Sequence, residues 1–409
     1  MTAAPANVPA AMRGHLLFPL LAACALLTAC GTRTEFLHTP NSGGGTTTVQ
    51  VAPKLGFPTL ATKNTTRVAG ADPVSDAAAV ALAVYPSAAP GTHPSAVTIA
   101  PTDDWQAAIA SSVLMASPIG APVLLSGSSA LPSPTADALQ ALSPVGSGAA
   151  GGAQVIRVGD VPRVSGRRSV SIQGGNDYAL AAAIDRFASA AAGRPSPDVV
   201  IASADAPQYA MPAAGWAAES GDPILFVSSS GVPSATKQAL LADQSPHIYV
   251  LGPPSVIPAS VLSQLGKFGT VKRIGAVDPA ANSVAFTVYR DPPCVFGQPC
   301  AHVPGSFGWA LRSPGHGYVL INANRTLDAA AAAALSASGS YGPQLLVDDP
   351  ASLPRSVLNY FLNFATPGFT QEGPTAAVYN HGWVIGDQSA ISVSVQAEMD
   401  TLLEAVPQK

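Results

Sequence analysis

Short, continuous apolar runs recur along this chain and alternate with small-residue segments of helical character. Three such runs are VTIAP from Val97, VVIAS from Val199 and YVLIN from Tyr318. A run of this length without polar–apolar alternation is typical of a strand that is covered on both faces, as in a parallel sheet. The segments around these runs are rich in alanine, which lets helices lie close to a sheet. The pattern predicts an α/β fold with right-handed crossovers.

The same order of signals occurs three times along the sequence. In each copy a proline opens a second apolar run, 22 residues after Ala100, 21 after Ala202 and 22 after Ile321. A proline at the first position of a strand costs no ladder hydrogen bond. We interpret the copies as three units, and we expect each second run to be the central strand of a separate sheet. The positions that carry this interpretation are Pro122, Pro223 and Pro343, the buried leucines Leu124, Leu225 and Leu345, and the glycines that end a third run, Gly159, Gly252 and Gly386.

The N-terminus indicates export. Arg13 precedes an apolar core that is too short for a transmembrane helix and ends in LTAC at Cys30. This ending resembles a bacterial lipobox, which implies that Cys30 carries a lipid; the alternative is an ordinary secretory signal with a chance cysteine. A Gly/Thr/Pro-rich stretch follows, typical of a flexible tether. We therefore divide the chain into a lipoprotein signal peptide (1–29), a tether (30–65) and three repeat units (66–168, 169–270 and 271–409).

Composition narrows the class of protein. With 47% hydrophobic and 11% charged residues, the chain is expected to fold. The net charge of −4, without an obvious basic stripe, argues against a nucleic-acid partner. Besides two cysteines in the signal, the chain contains Cys294 and Cys300 in a proline-rich loop. Outside the cytoplasm this pair predicts a disulfide. A metal site that adds His302 would need more ligands, so we expect no metal and no cofactor.

A turn-like element begins each unit: RVAGADP from Arg67, SIQGGND from Ser171 and RIGAVDP from Arg273. Together with the proline-headed and glycine-ended strands, this order resembles the cell wall binding repeat 2 family, whose repeats occur in threes on exported surface proteins of Gram-positive bacteria. The resemblance covers nearly all of residues 66–407. It implies three Rossmann-like open parallel-sheet units around a pseudo-threefold axis within a monomer. It also implies non-covalent attachment to anionic cell-wall polysaccharide.

The family pattern is only partly kept in the residues that could contact a ligand. Ser171 and Asn176 stand in the second unit where Arg67 and Asp72, and Arg273 and Asp278, stand in the other two. The acidic start of one family helix survives only in TLDAA of the third unit. An anionic glycan needs local donors, and for Arg67 and Arg273 the alternative role is a structural hydrogen bond to loop carbonyls or to the nearby aspartate. The ligand-binding candidates are Arg67, Arg157, Arg168, Arg273 and Asp328.

Motifs for catalysis are weak. The sequence GSGAAG, residues 146–151, matches G-x-G-x-x-G, but a helical stretch precedes it and a strand follows. A dinucleotide site needs the reverse order, so we interpret the segment as a loop. The chain contains no G-x-S-x-G sequence. Asp348 and Asp349 could bind a cation, but such a pair more often caps a helix or lies in solvent. We expect a protein without enzymatic activity.

Two other classes of function stay open. A solute-binding lipoprotein of a transporter closes two lobes over a small ligand, and three similar units argue against it. A structural scaffold for protein interactions in the cell envelope is the other alternative. The sequence favours a surface lipoprotein that binds cell-wall polysaccharide. We expect it to be anchored by its lipid to the outer face of the cytoplasmic membrane and to be associated with the wall.

Overall fold

The computed structural model describes residues 59–292, 306–337, 342–369, 373 and 377–407. The predicted signal peptide, the lipidated Cys30, most of the tether and the Cys294–Cys300 pair lie outside these residues. The last residues of the predicted tether do not: β1 (Thr59–Ala61) and the beginning of β2 (Thr65–Val68) form an antiparallel hairpin. The ordered chain therefore begins before the boundary that we place at residue 66.

Three similar α/β units follow the hairpin. The first unit consists of α1 (Pro73–Val84), β3 (Val97–Pro101), α2 (Trp105–Ala110) continued by a 3₁₀ turn (Ser111–Met115), β4 (Val123–Ser126), α3 (Ser133–Leu142), β5 (Val155–Val158) and β6 (Ser169–Ile172). The second consists of α4 (Asp177–Ala192), β7 (Asp198–Ser203), α5 (Pro207–Ser220), β8 (Ile224–Val227), α6 (Ser234–Ala242), β9 (His247–Leu251), α7 (Ala259–Leu265) and β10 (Thr270–Ile274). The third consists of α8 (Pro279–Thr287), β11 (Gly317–Asn322), α9 (Asp328–Ala337), β12 (Gln344–Val347), α10 (Arg355–Asn363), β13 (Gly368–Phe369), β14 (His381–Ile385), α11 (Val393–Leu402) and β15 (Val406–Pro407).

Three larger sheets contain most of the strands, β13 and β15 pair in a separate two-stranded sheet, and the predicted α/β class with Rossmann-like parallel units is confirmed. The strand orders are β4-β3-β5-β6, β8-β7-β9-β10 and β12-β11-β14-β2-β1, and every pairing in them is parallel except that of β1 with β2. The strands β3, β7 and β11 are buried along their whole length, as their continuous apolar sequences require. Helices cover the sheets on both faces.

The fourth strand of each sheet comes from the segment that we assign to the start of the next unit. β6 completes the first sheet and β10 the second, although our unit boundaries lie at residues 168 and 270. β2 completes the third sheet by pairing with β14, more than 300 residues away. The turn-like elements around Arg67, Ser171 and Arg273 are therefore the points at which the chain leaves one sheet and begins the next unit.

The proline-headed strands β4, β8 and β12 lie at sheet edges, so their expected central position is wrong. The burial of Leu124, Leu225 and Leu345 is nevertheless as expected, with 0% exposure for each. The reason is that two helices cover each edge strand: α1 and α9 pack on β4, α4 and α2 on β8, and α8 and α5 on β12. One helix of each pair comes from a neighbouring unit. Each edge strand is therefore as well buried from solvent as a central strand.

The helices α2, α5 and α9 form the hub of the molecule. Each of them contacts the other two, and α2 does so together with its 3₁₀ continuation. Small residues make this close packing possible: Ala329–Ala334 of α9 are all buried. A Cβ on Gly215 of α5 would lie 2.6 Å from Ser336 Oγ of α9. The three units are thereby arranged with pseudo-threefold symmetry around the hub.

Candidate functional site

Each sheet presents a comparable turn at its carboxyl edge. Gly159, Gly252 and Gly386 end β5, β9 and β14 with φ values of +65°, +119° and +89°. Only glycine adopts this region without strain, which explains why the third apolar run of each unit ends in this residue. At Gly386 a side chain would also collide with Ala390 Cβ at 2.7 Å. The candidate residues from the sequence lie around these three turns and at two other places in the first and third units.

Arg67 holds the turn of the third sheet. It lies on β2, is 3% exposed, and donates through Nη1 to the carbonyl oxygens of Gly386 at 2.8 Å and Asp387 at 3.0 Å. Its Nε donates to Gln396 Oε1 at 2.8 Å, and its Nη2 donates to the Ser392 carbonyl at 3.3 Å. Burial lowers the pKa of the guanidinium, while the nearby Asp387 acts in the opposite direction. These contacts correspond to the structural role that we weigh against ligand binding.

Arg273 has the equivalent position on β10 in the second sheet. Its Nη1 donates to the Gly252 carbonyl at 2.5 Å and its Nη2 to the Ile257 carbonyl at 2.6 Å. The glycine whose carbonyl it binds is the counterpart of Gly386. The same contact, in which an arginine of the fourth strand donates to the carbonyl of the glycine turn, therefore occurs in two of the three sheets.

The first sheet lacks this arginine because Ser171 occupies the position on β6. Two other residues take over its contacts. Gln173 Nε2 donates to the Gly159 carbonyl at 2.9 Å, and Arg157, which lies opposite Ser171 on β5, donates through Nη1 to the Val161 carbonyl at 3.2 Å. The sequence singles out Arg157 but misses Gln173, whose only signal is its place two residues after Ser171 in the turn.

The acidic residue of the turn-like element is a helix cap. Asp72 accepts from the Ser75 backbone N–H at 2.8 Å, Asn176 from that of Ala179 at 2.9 Å, and Asp278 from that of Ala281 at 2.7 Å. Asparagine and aspartate are equally good N-caps, so Asn176 in the second unit keeps the function of the position. What looks in the sequence like a lost motif residue is a conservative exchange.

Asp328 belongs to a buried charged cluster between the first and third units. It begins α9 and, like Asp76 in the first turn of α1, is 0% exposed. Arg325 lies between them, with Nε 2.8 Å from Asp328 Oδ2 and Nη2 paired with Asp76 Oδ2. Burial, and then repulsion from the second carboxylate, raises the pKa of Asp76; burial also raises the pKa of Asp328, against the attraction of Arg325. Burial therefore favours the protonated form of both carboxyl groups.

The sequence reveals only part of this cluster. Asp328 is a candidate from the family pattern, whereas Asp76 and Arg325 are missed. Asp76 is four residues after the N-cap Asp72 in an otherwise small and apolar helix, and Arg325 precedes Asp328 by three residues. The charge of Asp76 inside an alanine-rich helix was the available signal in the sequence. Its partner, Arg325, is about 250 positions away.

Arg168 lies at the opposite, amino-terminal end of the first sheet. The residue is exposed, and its guanidinium packs over the glycine loop before β5, where a Cβ on Gly146 or Gly152 would be 3.1 Å from its Nη atoms. This loop contains the GSGAAG sequence, and a 3₁₀ turn at Gly148–Ala150 precedes the strand. No helix begins there, in agreement with its interpretation as a loop.

The described residues offer little for catalysis or metal binding. Within them, no group of three or more His, Cys, Asp or Glu side chains has a geometry that could hold a metal ion. Asp349 accepts from the Ala351 backbone N–H at 2.9 Å and from Ser352 Oγ at 3.0 Å, so it caps a turn. In the same part of the chain, none of the helices is long and apolar enough to cross a membrane.

Comparison with known proteins gives a family match and several solved structures of similar fold. Residues 171–262 match the model of the family Cell wall binding domain 2 (CWB2). The fold is similar to that of Cwp8 from Clostridium difficile, with a TM-score of 0.62 and 16% identity over 84% of this chain and 52% of that one. It is also similar to that of Cwp6 from the same organism, with a TM-score of 0.63 and 16% identity over 83% of this chain and 48% of that one. No curated relative matches the sequence.

These findings bear differently on fold and function. The chain spans about half the length of the two solved structures, and at 16% identity they establish the fold alone. The family match begins in β6, the last strand of the first sheet, covers most of the second unit as far as α7, and supports a cell-wall-binding protein outside the cytoplasm. The resemblance that we infer from the sequence is thus confirmed for the segment 171–262, which is similar to a cell wall binding domain 2 repeat.

Proposed function

We propose that the protein binds anionic cell-wall polysaccharide non-covalently and has no catalytic role. The observation that carries the proposal is the family match in the second of three structurally similar units. Three repeats around a common hub give a rigid body with several faces, which suits attachment to a repetitive polymer better than closure over one small solute. Neither alternative, a two-lobed transporter protein or a protein scaffold, accounts for the match to a cell wall binding family.

The exposed arginines of the first unit are the best contacts for an anionic polymer. Residues 157–168 contain four arginines and Asp160, a net formal charge of +3 in a chain whose net charge is −4. In the second and third units the equivalent connection contains a helix, α7 or α11, whereas residues 159–168 consist of turns and irregular structure. Arg163 and Arg168 are exposed there and Arg167 is half-buried. We propose that these three residues contact the polymer.

The other candidates have supporting roles in this proposal. Arg67 and Arg273 fix the glycine turns, and Arg157 fixes the Val161 carbonyl below the arginine-rich segment. Asp328 is buried in its charged cluster and stabilises the contact between units. These residues shape the binding surfaces without touching the polymer.

Purified cell walls test the proposal directly. The protein should sediment with walls that retain their anionic polymer and should stay in solution with walls from which that polymer has been extracted. Replacing Arg163, Arg167 and Arg168 by glutamine should reduce retention and its dependence on salt, because each lost cation removes a screened charge contact. The matched control replaces Arg186, Lys267 and Arg355, three exposed cations elsewhere. Equal retention on both wall preparations would disprove the polysaccharide proposal.

Anchoring is a separate part of the proposal. We infer that Cys30 is lipidated and holds the protein at the outer face of the cytoplasmic membrane, from where the three units reach the wall. The support is the LTAC sequence and the tether-like composition that follows it. Cys30→Ser should move the protein from the membrane fraction to the soluble fraction, and unchanged partition of this variant would refute the anchor.

A further inference from the structure

A large cavity lies at the amino-terminal end of the second sheet, away from the glycine turns. Its volume is about 880 Å³, within the range of small-molecule sites. One wall is formed by the ends of α4 and α5 and the loops that follow them. The other is formed by described parts of the connection between α8 and β11, residues 288–316. The equivalent connections in the other units, residues 85–96 and 193–197, are much shorter. The wall that the third unit contributes therefore has no counterpart in them.

Aromatic packing fixes this connection against the second unit. Phe307 stacks on Tyr249 with ring centroids 3.5 Å apart and is 1% exposed. Trp216 of α5 meets Phe307 at 5.0 Å and Trp309 at 5.3 Å, both edge to face. Tyr249 Oη also donates to Asp291 Oδ2 at 2.6 Å. These contacts fix the position of the wall that the third unit contributes to the cavity.

Among the described residues, four carboxyl groups line the cavity, and two of them have side-chain partners at 2.7–3.0 Å. Asp222 accepts from Trp216 Nε1 and from Ser196 Oγ, both at 2.7 Å, and burial raises its pKa to about 6. Asp198 is paired with His247 Nδ1 at 3.0 Å. The contact between Asp222 and Ser196 joins the loops α4–β7 and α5–β8, and the contact between Asp198 and His247 joins the first residues of β7 and β9.

The other two carboxyl groups can accept further hydrogen bonds. Asp185 is 2% exposed, and the hydrogen bond that it makes to a side chain is a long one, from Ser189 Oγ at 3.3 Å. Glu219 is half-buried and accepts no hydrogen bond from the described residues. Burial raises the pKa of both groups, to about 6 for Asp185, which means that each pays a desolvation penalty in its charged form. A cation bound beside either group would offset the desolvation penalty of that group.

The charge of the lining favours a cation over an anion. The described lining residues include four acids, Asp185, Asp198, Glu219 and Asp222, and two arginines, Arg194 and Arg290, so their formal charge is negative. His316 also lines the cavity, and burial lowers its pKa, which keeps it neutral at pH 7. Trp216 and Trp309 also line the cavity, and indole rings attract organic ammonium groups through the negative quadrupole of their faces.

We propose that this cavity binds a small organic cation that carries a primary ammonium group. The ammonium pairs with Glu219, and the body of the ligand lies along the wall that contains Trp216 and Trp309. An anionic polymer is disfavoured there by the net negative lining. The site is therefore distinct from the arginine-rich segment of the first unit, and it does not depend on the proposed wall binding.

Matched ligands test the charge requirement. Isothermal titration or ligand-observed NMR on the whole chain at pH 7.5 would compare ethanolamine, lysinamide and glucosamine with N-acetylglucosamine, the neutral counterpart of glucosamine. At least one of the amines should bind with a Kd below about 10 mM, whereas N-acetylglucosamine should show no binding in this range. Binding of none of the three amines in this range, or equal binding of the neutral sugar, would overturn the proposal.

Variants then assign the binding to the cavity. Glu219→Gln keeps the shape but removes one charge, and it should weaken amine binding about three- to tenfold, the effect of one partly solvated charge pair. Trp309→Leu should weaken it further or abolish it. The control Asp137→Asn removes an exposed charge of α3 in the first unit and should leave binding unchanged. Equal affinity of the Glu219→Gln and Asp137→Asn proteins would overturn the assignment, and retention on cell walls should stay the same in all three.

Discussion

The junctions between units differ in how the chain passes them. At the first two, the chain continues from the third strand of a sheet to the fourth, from β5 to β6 and from β9 to β10, before it enters the next unit. At the third junction the described chain ends after α11 and β15, and the fourth strand, β2, enters from the N-terminal side. The ring of three units is therefore closed there by non-covalent contacts.

Polar contacts take the place of the missing connection. The backbone N–H of Asn64 donates to Asp400 Oδ1 at 2.7 Å, and Asn64 Nδ2 donates to the Asp400 carbonyl at 2.9 Å. Lys63 pairs with Glu404 beside them. The helix residue four positions after the N-cap also differs: it is Leu180 at the first junction, Asn282 at the second and the charged Asp76 at the third. At this helix position the two covalent junctions have an apolar or a neutral residue, whereas the non-covalent junction has a charged one.

The largest effect should come from the three equivalent leucines. Leu124→Asp, Leu225→Asp and Leu345→Asp each place a carboxylate without a partner in a dry core, and each should lower the free energy of unfolding by about 5 kcal/mol. The losses should be similar, because two helices cover each edge strand in the same way. Urea denaturation of the three variants checks this. A much smaller loss in one of them would break the equivalence of the units.

A smaller effect should separate the two arginines. Arg67→Ala removes four hydrogen bonds at the non-covalent junction and should cost about 3 kcal/mol, because buried carbonyls lose their donor. Arg273→Ala removes two bonds at a covalent junction and should cost about half as much. Gln173→Ala is the matched variant of the first sheet. Equal costs for Arg67→Ala and Arg273→Ala would contradict the special weight of the third junction.

The charged cluster at this junction predicts that stability depends on pH. Because burial raises the pKa of Asp76 and Asp328 above the unfolded value near 4, the folded state holds more protons. The stability contributed by the pair is fully present below that value and is lost as the pH rises through the folded pKa values. Asp76→Asn cannot lose this proton, so its stability relative to the wild type should increase by about 1–3 kcal/mol between pH 5 and pH 9.

Thermal unfolding of both proteins across this pH range measures the difference. Asn282→Asp provides the converse test, since it introduces a carboxyl at the equivalent position of the second junction and should make stability fall with pH there. Parallel pH profiles for the wild type and Asp76→Asn would show that the cluster carries no proton.

The smallest expected effect concerns the caps. Asn176→Asp should leave the free energy of unfolding within about 0.5 kcal/mol of the wild type, whereas Asn176→Ala should lower it by about 1 kcal/mol, because the N–H of Ala179 loses its acceptor. Asp72→Asn is the reciprocal exchange in α1. Denaturant titration resolves these differences, and a cost of Asn176→Asp equal to that of Asn176→Ala would argue against a capping role.

The sequence was sufficient for the features that depend on local pattern. Continuous apolar runs predicted the buried strands, the fixed spacing predicted three units, and the burial of Leu124, Leu225 and Leu345 followed from both. The edge position of their strands could not be predicted in this way. An edge strand covered by helices of two units has the same apolar sequence as a central one.

The candidate site was harder to predict because its contacts connect distant residues. Nothing near Thr65–Val68 indicates that this strand pairs with His381–Ile385, so Arg67 appeared to belong to the first unit. The pairing of Asp76 with Arg325 is equally remote in sequence. In the second turn-like element the missing arginine was visible, but its replacement by Gln173 and Arg157 depends on side-chain reach, which a motif does not encode.

Hydrogen exchange of the fourth strands tests most directly whether the N-terminal strand closes the ring. The amides of β6, β10 and β2 are each bonded within a parallel sheet. If β2 is an integral strand of the third sheet, the amides of residues 66–68 that pair with β14 should exchange as slowly as their counterparts in β6 and β10, to within about tenfold. Exchange of β2 at the rate of an unstructured peptide, with β6 and β10 protected, would show that the third sheet is open and would contradict the account.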